Sequence, residues 1–270
     1  MTYELPFILY DNILNRSNTS ITVTSEASGF PKENLYDWKD WTYWKASSTA
    51  QQDIDIDKGT TGISVDTLAL LGHNMDYVMA NVTVYEDDNP GFTSPTTLGS
   101  DAFAYDGPYY INLTSGSQRY NRIRIGSGSV APFIAVAYLG TKLELPVGPE
   151  FSFDPDRQDI KSEKFNSYSG RMVSSAVKYA ERRMNVPFRR LSETFIDSDL
   201  RPFLEDHYGA MLPFFFVPDP GQVFTSGGVT KLHYLTAPDN PTIELPVYED
   251  DIGFRNWTLI ANGVRQDKFR

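Results

Sequence analysis

Short alternating or apolar runs recur about every ten residues and are separated by clusters of Gly, Pro, Asn, Asp and Ser, the spacing of a β-sandwich or barrel. In the first half this pattern predicts strands over residues 20–25, 53–56, 67–71, 81–85, 109–113, 122–125 and 133–139. In Asp53-Ile54-Asp55-Ile56-Asp57 the period of two turns both isoleucines inward and the aspartates outward. Between Leu143 and Pro155 the chain collects Pro146, Gly148 and Pro149. Proline cannot donate to a central ladder, so a boundary falls there, between domains 1–145 and 146–270.

Beyond the boundary, residues 158–168 and 171–179 flank a Ser169-Gly170 turn and a third run covers 182–191, which predicts a hairpin extended to a meander. Lys161, Glu163, Lys164, Lys178, Glu181 and Arg183 occupy outward positions. That pattern suits a projecting hairpin arm and an ordinary solvated sheet face equally. One helix is predicted near 198–208, with Asp197 or Ser198 as cap, Pro202 in the first turn and Gly209 at the end. Leu200, Phe203, Leu204 and Tyr208 share its apolar face. Strands follow over 212–217, 229–235, 242–247 and 257–260, so the second half reads as a sheet or barrel packed on a single helix. Glu144-Leu145-Pro146-Val147 returns at 244–247, too short a match to make a repeat.

At 270 residues, 40% hydrophobic and 14% aromatic, the chain has the apolar content of a folded protein. Thirty-five acids against 24 bases leave a formal charge of −11, which disfavours the phosphate contacts that dominate nucleic-acid affinity. Without cysteine there are no disulfides, thiolate metal sites or cysteine nucleophiles. The first ten residues lack a basic segment and a cleavage site, and no apolar run approaches the roughly 18 residues of a membrane span. We therefore expect a cytoplasmic product with no membrane partner. Asn81-Val82-Thr83 and Asn112-Leu113-Thr114 match the glycosylation triplet, as chance allows in a chain rich in Asn, Ser and Thr.

The search for chemistry returns few candidates. His73, His207 and His233 lie far apart, outside any metal-binding spacing, and nucleophile-elbow, phosphate-loop and dinucleotide motifs are missing. No catalytic residue, metal or cofactor is assigned. Glu86-Asp87-Asp88 and Glu249-Asp250-Asp251 read as solvated turns at strand ends. The aspartates of 53–59 have a calcium-loop flavour, but Lys58 intervenes before Gly59 and no glutamate follows at the required distance, which favours the strand reading. Tyr36, Trp38, Trp41, Tyr43 and Trp44 crowd nine residues. Two readings stand: packing, with Trp44 in the core, or a surface where Trp38, Trp41, Tyr43 and His73 meet a glycan or a protein.

The order of short motifs in the first half resembles that of discoidin, or coagulation-factor type C, domains. Asn34-Leu35-Tyr36-Asp37 is similar to their early Asn-x-x-Asp turn, and Trp44-Lys45-Ala46-Ser47-Ser48 to their Trp-x-Ser element. Residues 53–59 and 65–74 are similar to their Ile-x-Ile-Asp strand and the core strand after it, and Tyr120-Asn121-Arg122-Ile123-Arg124-Ile125 to their late Arg-Ile strand. The resemblance implies a jelly-roll sandwich of galactose-binding type whose loops at one end often bind sugars, lipids or proteins.

The second half resembles tail proteins of long-tailed bacteriophages, through Asp199-Leu200-Arg201-Pro202-Phe203 to Gly209 and Pro213-Phe214-Phe215-Phe216-Val217-Pro218-Asp219. That likeness implies a tail-tube-like β-barrel with one helix, assembled as a ring around the tail lumen. On this reading the chain is a non-enzymatic distal or minor tail protein of the tail tip or baseplate, made in the host bacterial cytoplasm. It would form a homo-oligomeric ring beside tube, hub and tape-measure proteins. Arg171, Lys178, Arg182, Arg183 and Arg189 would lie at the assembly interface. An acidic lumen would repel passing DNA. The competing class is a carbohydrate-binding or host-adhesion module that meets a host surface glycan. A glycosidase or depolymerase would need a carboxylate pair that the sequence does not single out.

Overall fold

The structure, a computed structural model, describes residues 4–102, 107–150, 158–220, 232–238, 247–248 and 254–263, with the backbone alone for 158–162, 177–182 and 247–248. Strands hold 47% of the residues and helices 13%, so the chain is mainly β. It divides into two compact units, whose main segments are Phe7–Leu143 for the first and Glu144–Asp219 with His233–Arg270 for the second.

The first part of the chain forms β1 (Phe7–Leu9), β2 (Ser20–Val23), β3 (Trp44–Lys45), β4 (Gln52–Asp57), β5 (Val65–His73), a single turn α1 (Met75–Val78), β6 (Asn81–Asp87), β7 (Thr96–Ala102), β8 (Tyr109–Gly116), β9 (Tyr120–Ile125), β10 (Phe133–Gly140) and β11 (Leu143–Glu144). A five-stranded sheet, β2-β4-β9-β6-β7, and a four-stranded sheet, β3-β10-β5-β8, make an antiparallel sandwich. Its core takes Ile54, Ile56, Val82, Val84, Ile123 and Ile125 from one sheet and Trp44, Leu68, Leu70 and Ile134 from the other. The alternation of β4 thus falls as the sequence requires, with each large apolar side chain removed from water contributing about 1.5–3 kcal/mol. The polar strand β7, which buries only Leu98, carries too weak a pattern to be found in the sequence.

The outward aspartates are not bathed in water. Asp53, Asp55 and Asp57 stand opposite Arg124, Arg122 and Tyr120 on β9. Arg122 Nε and Nη2 donate to Asp55 at 2.6 and 2.8 Å, Arg124 to Asp53 at 2.8 and 2.9 Å, and Arg119 to Asp57 at 2.7 and 2.9 Å. Two of the acids at 86–88 correct the solvated-turn expectation too, while Asp88 is exposed as expected. Glu86 and Asp87 are buried. Glu86 accepts from Gln118 N, Asp87 from Asn89 N and Ser94 N, and Asp88 from Arg119 N. These carboxylates close the turns at their end of the sandwich. Glu249-Asp250-Asp251 lies outside the described residues.

The second part of the chain forms β12 (Gln158–Asn166), β13 (Met172–Ser192), a helix α2 that opens at Glu193–Phe195 and continues through Ile196–Leu200 and Phe203–Tyr208, β14 (Phe214–Val217), β15 (His233–Thr236), β16 (Val247–Tyr248) and β17 (Phe254–Gly263). Among the described residues these strands pair in the order β14-β15-β17-β13-β12, with β16 on β17. The predicted hairpin over 158–179 forms, and the second and third runs of the meander are one 21-residue strand, β13. Arg182 is the reason: it pairs with Gln158 on one side and Gly263 on the other, so two ladders meet without a break.

Helix α2 starts earlier than predicted, because Ser192 Oγ accepts from Phe195 N at 3.3 Å. Asp197 and Ser198 therefore lie inside it, and Pro202 sits mid-helix. A proline there lacks its N–H and crowds the carbonyl four residues back. The helix answers with wider π turns over Ile196–Leu200 and Phe203–Tyr208, where Arg201 N bonds Ile196 O and Gly209 N bonds Leu204 O. Its buried Leu200, Phe203, Leu204 and Tyr208 form the predicted face, and Phe203 meets Phe214 edge-on at 5.2 Å. The parts of the predicted strands over 229–231 and 242–246 lie outside the described residues.

Candidate functional site: the aromatic end of the sandwich

Strand register gathers one set of loops. Gln52 and Val82 both pair with Ile125, Val23 with Ile54, and Ile134 with His73 and with Trp44. The segments 24–43, 46–51, 74–80 and 126–132 therefore leave the sandwich at the same end. The opposite end carries 58–64, 88–95 and 117–119, next to the pairs Asp57–Tyr120 and Asp87–Tyr120.

Side-chain-to-backbone bonds hold the first set rigidly. Asn34 Nδ2 donates to Tyr43 O at 2.9 Å, while Asp37 accepts from Lys39 N at 2.9 Å and from Thr42 Oγ1 at 2.8 Å. The Asn-x-x-Asp motif is thus a double staple across the aromatic loop. Trp44 is fully buried and its indole N–H donates to Ser25 O at 3.2 Å. Tyr43 stacks on Phe30 at 4.7 Å and meets Phe133 at 5.2 Å. Asn74 donates to Ala131 O and accepts from Phe133 N. Ser129 bonds Tyr77 O through Oγ and Val78 O through its N–H. Gly128 donates to Thr49 O, and a Cβ on it would overlap the Val78 carbonyl.

On this frame the large apolar side chains point outward. Trp41 is 69% exposed, Tyr77 62%, Met79 83% and Val130 39%, and these are the only exposed large hydrophobics among the described residues of Phe7–Leu143. Single exposed apolar side chains are ordinary. Four confined to the loops at one end of a sandwich mark that end as the candidate binding surface. Met79 holds a left-handed φ of 57°, which presents its side chain at the tip of the 74–80 turn.

Of the residues predicted from sequence, Trp41 is in this exposed set and Tyr43 is half-buried. Trp38, with φ 59°, and His73 are buried. The His73 Nδ1 accepts from Met75 N at 3.3 Å, so the imidazole fixes the start of α1. Sequence reasoning missed Tyr77, Met79 and Val130, because nothing in their immediate neighbours distinguishes an exposed loop hydrophobe from a buried one. Among the described residues no group of three or more His, Asp or Glu side chains is placed to hold a metal ion, and no helix is long and apolar enough to cross a membrane.

The predicted assembly residues lie on the β12–β13 hairpin and its continuation. Arg171 is exposed at the tip, and Arg183 and Arg189 are exposed along β13. Arg189 Nε also pairs with Glu150 at 2.6 Å. Arg182 joins the two ladders through its backbone, and Lys178 is the extra residue of a bulge between Val177 and Tyr179.

No family model matches the chain, and no curated protein does. Solved structures similar to it include chitosan-binding module 1 of a chitosanase/glucanase from Paenibacillus sp. IK-5, at 19% identity over 49% of this chain and 100% of that one, with a TM-score of 0.41. A CBM32 module of a Clostridium perfringens GH89 protein, in complex with GalNAc-β-1,3-galactose, is similar at 12% identity, 46% and 96% coverage and a TM-score of 0.39. The CBM32 of AlyQ, in complex with 4,5-unsaturated mannuronic acid, is similar at 21% identity, 48% and 96% coverage and a TM-score of 0.39.

Proposed function

We propose that this chain is a non-catalytic recognition and assembly protein of a phage tail tip or baseplate, in which the sandwich binds a carbohydrate at its aromatic end. The observation that carries the binding half is the confinement of the exposed Trp41, Tyr77, Met79 and Val130 to the loops at one end of the sandwich, where Asn34 braces 24–43 internally and Ser129 ties 126–132 to 74–80. Flat rings with polar edges bury against sugar faces at small entropic cost, and a pre-ordered loop frame reduces what binding must still fix. The discoidin resemblance of the sequence accords with it. Glycan-array binding by the purified chain tests this half. Trp41→Ala and Tyr77→Ala are expected to weaken an observed interaction at least tenfold with the thermal midpoint unchanged. Absence of binding to any glycan, or binding indifferent to both substitutions, overturns it.

The assembly half rests on a different observation. Residues 163–176 form a hairpin whose described side chains are all exposed except that of Ser167, which is intermediate. Together with the tail-protein resemblance of residues 199–219, that supports a ring-forming role around a tail lumen, beside tube, hub and tape-measure proteins. Labelled antibody against the chain is expected to decorate the distal end of tails. Decoration elsewhere, or none, overturns this half without touching the first.

A further inference from the structure

One row of the sandwich interior is polar. Ile54, Ile123 and Val84 stand side by side on β4, β9 and β6, and the next inward row toward the 58–64 end is Ile56, Asn121 and Glu86. Lys58 follows two residues after Ile56 and its N–H bonds Arg119 O at 3.1 Å, so the alternation of β4 turns it inward as well. Lys58 and Asn121 are fully buried, and Glu86 is 7% exposed. An amine, a carboxamide and a carboxylate are thus taken from water together, which is costly unless they satisfy one another.

Register brings the three within reach. Glu86 stands directly opposite Asn121, and Lys58 is the diagonal neighbour of Asn121 on its other side, a spacing of about 7–8 Å that long side chains span. Lys58 Nζ and the Glu86 carboxylate also converge on one stretch of the facing sheet. Nζ donates to Ile63 O at 2.6 Å, and a Cβ on Gly116 would lie 2.3 Å from Glu86 Oε2. Ile63 and Gly116 are neighbours there, because Gly62 N donates to Ser117 O and Val65 pairs with Gly116. Their hydrogen-bonding capacity is underused. The ammonium has three N–H groups and, among the described residues, one acceptor. Asn121 Nδ2 donates to Tyr85 O at 3.3 Å, while its buried Oδ1 has no hydrogen-bond partner among the described residues.

We infer that Lys58 and Asn121 become joined by an intramolecular isopeptide bond, with Glu86 relaying the proton. The neutral Nζ attacks Asn121 Cγ, Glu86 takes the proton that Nζ sheds and passes it to Nδ2, and the Cγ–Nδ2 bond breaks to release ammonia. One amide replaces another, so no oxidant or cofactor is consumed. Holding amine and carboxamide side by side in the interior makes the step effectively unimolecular. Burial lowers the Lys58 pKa to about 8, which supplies neutral amine near neutral pH. The link would tie β4 to β9 within their sheet and replace a buried ammonium by a neutral group, in a chain with no cysteine for a disulfide. It stands independently of carbohydrate binding and of assembly. Lys58 titrates before the step and not after it, so the pH-dependent stability of its ammonium belongs to the unlinked chain and fades as the link forms.

Mass spectrometry of the full-length chain, after incubation at mildly alkaline pH, tests it. The intact mass is expected to fall short of the sequence by one ammonia. Proteolysis should release a branched peptide joining the segments around Lys58 and Asn121, and trypsin should no longer cut after Lys58. Ring closure at Asn262-Gly263 also expels ammonia, so the branched peptide is decisive and the mass alone is not. Lys58→Met, Asn121→Ala and Glu86→Gln are each expected to abolish that peptide. Glu86→Gln keeps the size of the side chain and removes the proton relay, which separates relay from packing. A wild-type chain that yields only linear peptides overturns the inference, whether or not the variants fold. A branched peptide formed by Glu86→Gln at the wild-type rate overturns the role of Glu86.

Discussion

Replacing Arg122 by methionine and Asp55 by asparagine, singly and together, isolates the central rung of the arginine–aspartate ladder. The guanidinium donates twice to Asp55, lies 3.5 Å from Asp53 and sits 4.1 Å from the Phe92 ring centroid. Its side chain is 16% exposed and that of Asp55 32%. Fully exposed pairs couple by about 0.2–1 kcal/mol, whereas breaking a buried pair costs about 3–5 kcal/mol. A partly covered bidentate pair falls between these limits, and we expect a coupling of about 1.5 kcal/mol. Arg122→Met alone should cost about 2–3 kcal/mol, because it also leaves Asp53 under-neutralised and removes the ring contact. Urea unfolding followed by tryptophan emission is the assay, with Trp38, Trp41 and Trp44 reporting on the sandwich and Trp257 on the second unit. The coupling should survive ~1 M salt largely intact, as expected of a partly desolvated pair. Millimolar calcium should leave the midpoint unmoved, since guanidinium groups already fill the carboxylates. A coupling below about 0.3 kcal/mol, or a calcium-induced rise in stability, would return these aspartates to the status of an open, solvated face and refute the ladder. Arg119 holds the Asp57 carboxyl below its usual range, against the opposing effect of burial. A depressed carboxyl stabilises above its unfolded pKa and loses that contribution as pH falls through the folded one. Arg119→Met should therefore flatten the acid limb of the stability curve.

Gly128→Ala should destabilise the sandwich by about 2–3 kcal/mol, because the new methyl meets backbone at Val78 that cannot yield; a loss under about 0.5 kcal/mol in thermal melts would contradict the packing described. Lys58 is fully buried and donates to Ile63 O at 2.6 Å. Burial pushes its pKa down to about 8, with Glu86 and Asp88 opposing and Arg16 adding to the shift. The unfolded chain then holds more protons between about pH 8 and pH 10.5, so the Lys58 contribution to stability grows across that window. The wild-type curve minus that of Lys58→Met should show the rise, and a flat difference would show that the ammonium is not desolvated. Trp41→Ala is expected to leave the unfolding midpoint of the sandwich within about 0.5 kcal/mol of wild type; a larger loss in urea titrations would make Trp41 a packing residue.

Most of the sandwich was legible because its strands alternate. Ile54, Ile56, Ile123 and Ile125 announce an inner face through a period of two, and glycine and proline mark the turns. Partners across sheets were not legible: the aspartates of β4 looked solvated because the arginines that occupy them lie more than 60 residues away. The burial of Glu86 and Asp87 also escaped notice: Glu86 closes on the amide of Gln118, 32 residues on, while Asp87 takes the amides of Asn89 and Ser94 within its own turn. In β13 the polar stretch around Glu181–Arg183 looked like an interruption, and only the pairing on both sides of Arg182 shows one strand. Pro202 suggested a first turn, which holds for an α-helix and fails where π turns accommodate a central proline. In the candidate site the density of tryptophan marked a loop at the end of the sandwich that carries the exposed apolar side chains. It could not tell Trp41 from Trp38, because that depends on a single left-handed residue within the turn.

The staples at the aromatic end come from Asn34, Asp37, Asn74 and Ser129, while the surface is painted by Trp41, Tyr77, Met79 and Val130, and the two sets share no member. Scaffold and decoration are therefore separable. The exposed set can be exchanged residue by residue with little penalty in folding, so preference for one ligand over another can drift quickly while the backbone that displays it stays fixed. A library randomised at those four positions would inherit a rigid platform ready for selection.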